Sequence, residues 1–244
     1  MSDAAATGDG GWLALAVRGE TLRLHADRAL SWPARRTLVV ADIHFGKDDV
    51  FRRAGLAIPA GAVQEDLERL SALLASTASE RLLVLGDFVH GAVAGDDEFP
   101  RRFAPWRARH RELAVEVVAG NHDRHLRGAP QDWAAALRWH AGALHEPPFA
   151  FVHEHEHEHA LGHVEPGDGA FTVSGHVHPV TYLPVPGGRR LRVPVFWRRA
   201  DALVLPAFGR LTGGHAVRAA AGEQLIVAGP RRVQALRADD DAPR

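Results

Sequence analysis

A chain of 244 residues, 46% hydrophobic and 24% charged, has the composition of an ordinary globular protein and the length for one large core or two small ones. It contains no cysteine, which excludes disulfides and thiolate metal sites, so any bound metal must take His, carboxylate or amide ligands. A net charge of −1 gives no global attraction to nucleic acid, and no apolar run reaches the ~18–20 residues that a membrane helix needs.

The opening MSDAAATGDGG has neither the basic start nor the apolar run of a secretory signal. Residues 1–11 are expected to form a disordered tail, and the protein is expected to be cytoplasmic. The run TLVVA at 37–41 is flat in hydrophobicity and β-branched, as in a buried strand. Residues 61–79 carry Val63, Leu67, Leu70, Leu73 and Leu74 at helical spacing. RLLVL at 81–85 is a second strand, 98–113 a helix interrupted at Pro105, and 113–119 a third strand. Residues 131–141 are expected to be a short helix, and 149–152 and 170–173 two more strands. This alternation predicts βαβ units and a mostly parallel sheet. After about residue 180, Pro and Gly punctuate short strands such as 202–205 and 224–227, which suggests a second, more antiparallel sheet packed on the first. One domain is expected over 12–237, with a frayed tail at 238–244.

Polar residues fall where the predicted strands end. Asp42-Ile-His44 follows the first strand, Gly86-Asp87 the second and Gly120-Asn121-His122-Asp123 the third. His153 follows 149–152, and Gly175-His176-Val-His178 follows the strand ending at Val173. Strand carboxyl ends form the crevice of open α/β sheets, so these residues are expected to meet. Imidazole, carboxylate and amide oxygen suit manganese, iron, zinc or nickel. In Asp42-Ile-His44 and His176-Val-His178, period-2 geometry would aim both side chains one way. Gly86 and Gly120 would let the backbone turn and approach an ion. Each motif alone is common by chance; all of them in this order, each after an apolar run, are hard to explain structurally.

This series resembles the calcineurin-like metallophosphoesterase superfamily: D-x-H, G-D, G-N-H-D/E, a middle H and G-H-x-H. The resemblance implies an α/β fold, a four-layer α/β/β/α sandwich with two central mixed sheets and metals at their rim. It implies two divalent ions per chain, manganese being the one expected. One would be held by Asp42, His44, Asp87 and His178, the other by Asp87, Asn121, His153 and His176, with Asp87 bridging. It places His122 beside the metals as proton donor to the leaving group, with Asp42 or Asp123 to orient it. The stretches ADIHFGK, FRRAGLAIPAG, LGDFVHG, AGNHD, SGHVHP and LPAFGRLTGG are similar to the ligase-associated subfamily. That implies a DNA endonuclease or phosphodiesterase working with DNA-repair ligases and helicases.

Several readings stay open. The run His153-Glu-His-Glu-His-Glu-His159 leaves His153 or His155 as the middle ligand; His153 is nearest the strand end, and the rest of the run reads as a polar expansion. His90 could touch substrate or support a ligand. Arg124 and Arg127 could bind phosphate or be solvated surface, and so could the arginines clustered at 101–111 and 189–199. The six tryptophans could stack bases or fill the core. A small-molecule phosphoesterase shares the ligand set, and a scaffold that had lost its chemistry should have lost ligands or His122.

Overall fold

The computed structural model describes residues 7–8, 11–58, 61–94, 96–126, 133–155 and 170–236. Its strands form two mixed sheets. The first holds β1 (Thr7–Gly8), β2 (Trp12–Val17), β3 (Glu20–His25), β4 (Ala29–Trp32), β5 (Thr37–Ala41), β6 (Arg81–Leu85), β7 (Ala114–Val118) and β8 (Arg138–His140), side by side in chain order. Pairing is antiparallel from β1 to β5 and parallel from β5 to β8. The central parallel strands β5 and β6 are almost wholly apolar because both faces are covered. Alternation divides them: Leu38, Val40, Leu82 and Val84 point to the helices, whereas Val39, Ala41, Leu83 and Leu85 point to the second sheet.

Helices α1 (Lys47–Arg53), α2 (Ala62–Thr77) and α3 (Glu98–Arg109) follow β5 and β6. The predicted stripe Val63, Leu67, Leu70, Leu73 and Leu74 of α2 is buried against the first sheet, together with Phe99, Phe103 and Trp106 of α3. The second sheet comprises β9 (Leu144–Glu146), β10 (Phe149–Phe151), β11 (Phe171–Ser174), β12 (Pro179–Val185), β13 (Arg189–Arg198), β14 (Ala202–Val204), β15 (His215–Ala216), β16 (Gln224–Ala228) and β17 (Val233–Ala235). Its centre, β10–β11–β14, is parallel, and the long β12–β13 ribbon is antiparallel. Trp32, fully buried between the sheets, meets Phe149 edge-on at 4.9 Å. Truncating such an aromatic to Ala costs about 3–5 kcal/mol.

The α/β/β succession matches the expected sandwich. Among the described residues the α-helices all precede β7, and residues 238–244 lie outside them. Three expectations need correction. Of the helix expected over 131–141, the described residues 133–141 form none: Ala134–Ala136 is a single 3-10 turn, and Arg138–His140 extends as β8. Pairing with β7 wins there, supported by His140 on Glu116 at 2.7 Å. Pro105 does not interrupt α3, because its buried aromatic face holds the helix across the missing N–H. Within the presumed N-terminal tail, Thr7–Gly8 pairs with Trp12–Leu13. No helix among the described residues is long and apolar enough to cross a membrane.

Candidate metal centre

The carboxyl ends of β5, β6 and β7 in one sheet and of β10 and β11 in the other open onto the same rim. There the structure gathers all seven predicted ligand residues. Asp42, His44, Asp87 and His178 offer ligand atoms within 4.8 Å of one another, and so do Asp87, His153 and His176. In the first cluster His44 Nε2 lies 3.4 Å from His178 Nε2 and 3.6 Å from Asp87 Oδ2, and His178 Nε2 lies 3.4 Å from Asp42 Oδ1. In the second, His153 Nε2 lies 3.0 Å from Asn121 Oδ1, 3.1 Å from His176 Nδ1 and 3.6 Å from Asp87 Oδ1. Asp87 thus presents one oxygen to each cluster.

Extended geometry does not aim these side chains. Asp42 (φ 53°), His44 (φ 54°), Asp87 (φ 48°), His176 (φ 71°) and His178 (φ 51°) are all left-handed. Non-glycine residues there cost about 1–3 kcal/mol each and persist only where the surroundings over-determine them. The expected period-2 alternation is therefore replaced by a sharp turn after each strand. The glycines serve close approach. A Cβ on Gly86 would sit 2.0 Å from His153 Nδ1, and one on Gly120 would sit 2.3 Å from Asp87 Oδ1.

The donor set fits cations. His153 Nδ1 can only donate to the carbonyl of Leu85, 3.1 Å away, so in the neutral ring Nε2 carries the lone pair and faces another acceptor, Asn121 Oδ1. Asp42 is fully buried, and its Oδ1 accepts no hydrogen bond. Asp42 and Asp87 have only imidazoles as ion-pair partners among the described residues. Buried carboxylates in such company call for positive charge. Burial, then His178, Lys47, His90 and His122, pushes His44 far down and keeps it neutral, the form that ligates.

The surrounding residues separate by what they touch. His122 Nδ1 donates to the carbonyl of His90 at 3.1 Å, which turns its Nε2 toward Asp87 Oδ2 at 4.0 Å. His90 stacks on His122 with ring centroids 4.7 Å apart, and its Nδ1 lies 3.2 Å from His44 Nδ1. It therefore backs a ligand. Asp123 does not orient His122, and this corrects the sequence reading. Its buried carboxylate accepts from the backbone N–H groups of Gly120 at 2.9 Å, Val89 at 3.1 Å and Phe88 at 3.4 Å, tying the β6 and β7 loops together. Arg124 lies in the turn His122–Leu126, but its side chain, Arg127 and the run beyond His155 lie outside the described residues. The tryptophans pack: Trp32, Trp106 and Trp133 are buried, and Trp197 Nε1 donates to Glu223. Two residues went unnoticed in the sequence. Lys47, three positions after His44, carries a charge that Asp87 supports against burial. Glu154 lies 3.7 Å from His176 Nε2. A lone lysine in ADIHFGK and one glutamate in an alternating run gave little signal.

Residues 35–206 match the family described as calcineurin-like phosphoesterase. The chain belongs to that family. It is accordingly a metal-dependent phosphoester hydrolase with an α/β sandwich fold. Among solved structures, the nuclease MPE of Pseudomonas putida is 36% identical, with a TM-score of 0.74 over 92% of this chain and 100% of that one. A protein of unknown function from Aquifex aeolicus, AQ665, is 14% identical with a TM-score of 0.38, over 58% of this chain and 78% of its own. A Vps29 mutant from Entamoeba histolytica is 16% identical with a TM-score of 0.36, over 82% of this chain and 96% of its own. No curated protein sequence matches.

Proposed function

We propose that this phosphoesterase is a two-metal nuclease that hydrolyses phosphodiester bonds in DNA. The observation that carries the metal reading is the sharing of Asp87 between two ligand clusters. Asp42, His44, Asp87 and His178 would hold one divalent cation; Asp87, Asn121, His153 and His176 would hold the other. The nitrogen and oxygen donors suit manganese, with iron, zinc or nickel as alternatives. Bound together, such ions polarise the phosphoryl oxygens and lower the pKa of water.

The chain's own residues then have distinct tasks. Leu85 fixes the tautomer of His153 and so bares its Nε2. His90 steadies His44 from behind. His122, anchored through Nδ1, aims Nε2 at the departing oxygen, to which its imidazolium form would pass a proton. A nucleic-acid substrate is supported by the likeness to the Pseudomonas putida nuclease, and DNA in particular by the spacer resemblance. On the spacer resemblance alone, we extend the proposal to cytoplasmic DNA-damage processing beside a ligase and a helicase.

The test is to strip the protein of metal, titrate it with Mn²⁺, and offer circular DNA, linear DNA and a monoester chromogen. Cleavage of both DNA forms supports an endonuclease. Hydrolysis of the monoester alone would move the assignment to small-molecule phosphoesters.

A further inference from the structure

A second feature opens beside His178. A cavity of about 120 Å³ is lined by His178, Arg28, Arg192, Arg210, Thr212 and Pro194, with four neutral residues completing it. Its wall carries three guanidiniums and no carboxylate. Arg28 is tethered through Nη1 to the carbonyl of Ala207 at 3.1 Å, and Arg210 pairs with Glu65 outside the cavity at 2.6 Å. Arg192 is exposed and has no ion-pair partner among the described residues. The buried Thr212 Oγ1 has no hydrogen-bond partner. Burial first, then Arg69, pushes Arg28 down to about 10, with Asp66 opposing. The cluster is short of negative charge.

The cavity continues along the β12–β13 ribbon. Val180 faces Pro194, Tyr182 faces Arg192, and Pro184 faces Arg190. Opposed residues of an antiparallel pair share a face, and every second residue returns to it. Arg192 therefore lies on the same face as Tyr182 and Arg190. Tyr182 is the only tyrosine of the chain and is 42% exposed. Arg190 reaches back to the Tyr182 carbonyl at 3.2 Å. A cation with an aromatic ring abreast of it, followed by a second cation one step along the ribbon from a phosphate-cutting centre, matches how single strands are held: backbone charge on arginine and a base stacked on a ring.

Resting on the nuclease reading, we propose that the cavity beside His178 is a subsite for a phosphate that flanks the scissile one in a single-stranded polynucleotide, with Tyr182 stacking the next base. Such a subsite would make the enzyme prefer a polymer to an isolated diester.

The experiment compares kcat/KM for oligothymidylate with that for bis(4-nitrophenyl) phosphate, which has no flanking phosphate, in Mn²⁺-loaded protein. The variants are Arg192→Ala and Tyr182→Ala, with Arg111→Ala as a control for loss of surface charge elsewhere. A charge-assisted contact to phosphate is worth roughly tenfold or more. Arg192→Ala should lower the oligothymidylate-to-chromogen ratio at least about tenfold. Tyr182→Ala should lower it about fivefold or more, the least that one base stacking is worth. Arg111→Ala should leave the ratio unchanged. Fluorescence-anisotropy titration of labelled oligothymidylate against EDTA-treated protein adds a readout without turnover. There Arg192→Ala should weaken binding and reduce the salt slope by about 0.7. An unchanged ratio and unchanged binding in Arg192→Ala would overturn the subsite while leaving the nuclease assignment intact. Failure of the unmodified protein to cleave either diester would overturn the nuclease reading and the subsite with it.

Discussion

His153 Nε2 and Asn121 Oδ1 face each other at 3.0 Å, two acceptors when the ring is neutral, because His153 Nδ1 is committed to the carbonyl of Leu85. A cation between them would turn a repulsive contact into two ligand bonds. Metal should therefore stabilise the fold. At 100 times its dissociation constant, one bound ion contributes about 2.7 kcal/mol. In a protein of this size that raises Tm by about 5–10 °C. Scanning calorimetry in EDTA and in Mn²⁺ should show the rise, and His153→Ala should show a smaller one. Equal Tm values in the two buffers for the unmodified protein would remove the basis for a cation here.

Asp87 serves both clusters, with Oδ2 at 3.6 Å from His44 and Oδ1 at 3.6 Å from His153. Replacing one carboxylate oxygen by an amide nitrogen should unmake a bridge more thoroughly than it weakens a terminal ligand. Asp87→Asn should retain well under one ion per chain and lose essentially all activity. Elemental analysis finding two ions in that variant would refute the bridging assignment.

Asp123 offers the opposite contrast. Its carboxylate holds three backbone N–H groups and touches no predicted ligand side chain. Asp123→Ala leaves those buried donors without a partner, at about 1–3 kcal/mol for each. Urea unfolding should show a loss of about 3 kcal/mol or more. The folded, metal-loaded fraction should keep kcat on an activated diester within about threefold, well short of the ~10²-fold or greater loss on removing a proton-transfer group. A hundredfold fall in kcat at unchanged stability would return Asp123 to the chemistry.

The candidate cluster was legible in the sequence because each of its residues follows a mainly apolar strand buried on both faces. Asp42, Asp87, Asn121, His153 and His176 needed only those runs to be located. The contributions of separate sheets were not legible, since β7 and β10 look alike in sequence. Nor was the left-handed backbone at Asp42, His44, Asp87, His176 and His178, because those residue types carry no local mark of it. The β2–β3 hairpin, though it alternates in Leu13-Ala-Leu15-Ala-Val17, was missed beside a Gly-rich opening. Residues 131–141 were misread because Trp133, Leu137 and Trp139 satisfy both helical and extended spacing over so short a run, and only Glu116 and β7 decide between them. The cavity of Arg28, Arg192 and Arg210 draws on residues from Arg28 to Gly213 and had no sequence signature.

His25 sets a pH dependence outside the site. It is buried, with Nε2 on Ser31 Oγ at 2.8 Å, and burial first and then Arg23 hold it down to about 4, against Asp27. The unfolded chain takes the proton near pH 6.5, which the folded one resists. Stability from this residue is therefore intact above about pH 6.5 and is lost as pH falls toward 4, by up to about 3 kcal/mol at ~1.36 kcal/mol per pH unit. Denaturation profiles of His25→Gln and the unmodified protein should converge across that window. Parallel profiles would mean that His25 accepts its proton without cost.

His122 separates chemistry from binding. Its Nδ1 is held by the His90 carbonyl, and its Nε2 stands 4.0 Å from Asp87 Oδ2, beside the ligand clusters and outside their ligand sets. Its side chain remains 36% exposed, so a substrate can reach it. His122→Ala should keep both ions and the fold. It should lose a positioned proton donor, an effect of ~10²–10⁴ in rate. That is roughly 3–5 kcal/mol of transition-state stabilisation at ~1.4 kcal/mol per decade. A nitrophenolate leaves without a proton, whereas the alkoxide leaving from DNA is strongly basic. The variant should therefore still cleave an activated diester measurably and fail on DNA. Loss of the metals in His122→Ala would make the residue a ligand. An equal loss of rate on both substrates would mean that it binds the phosphate and leaves the departing oxygen to another group.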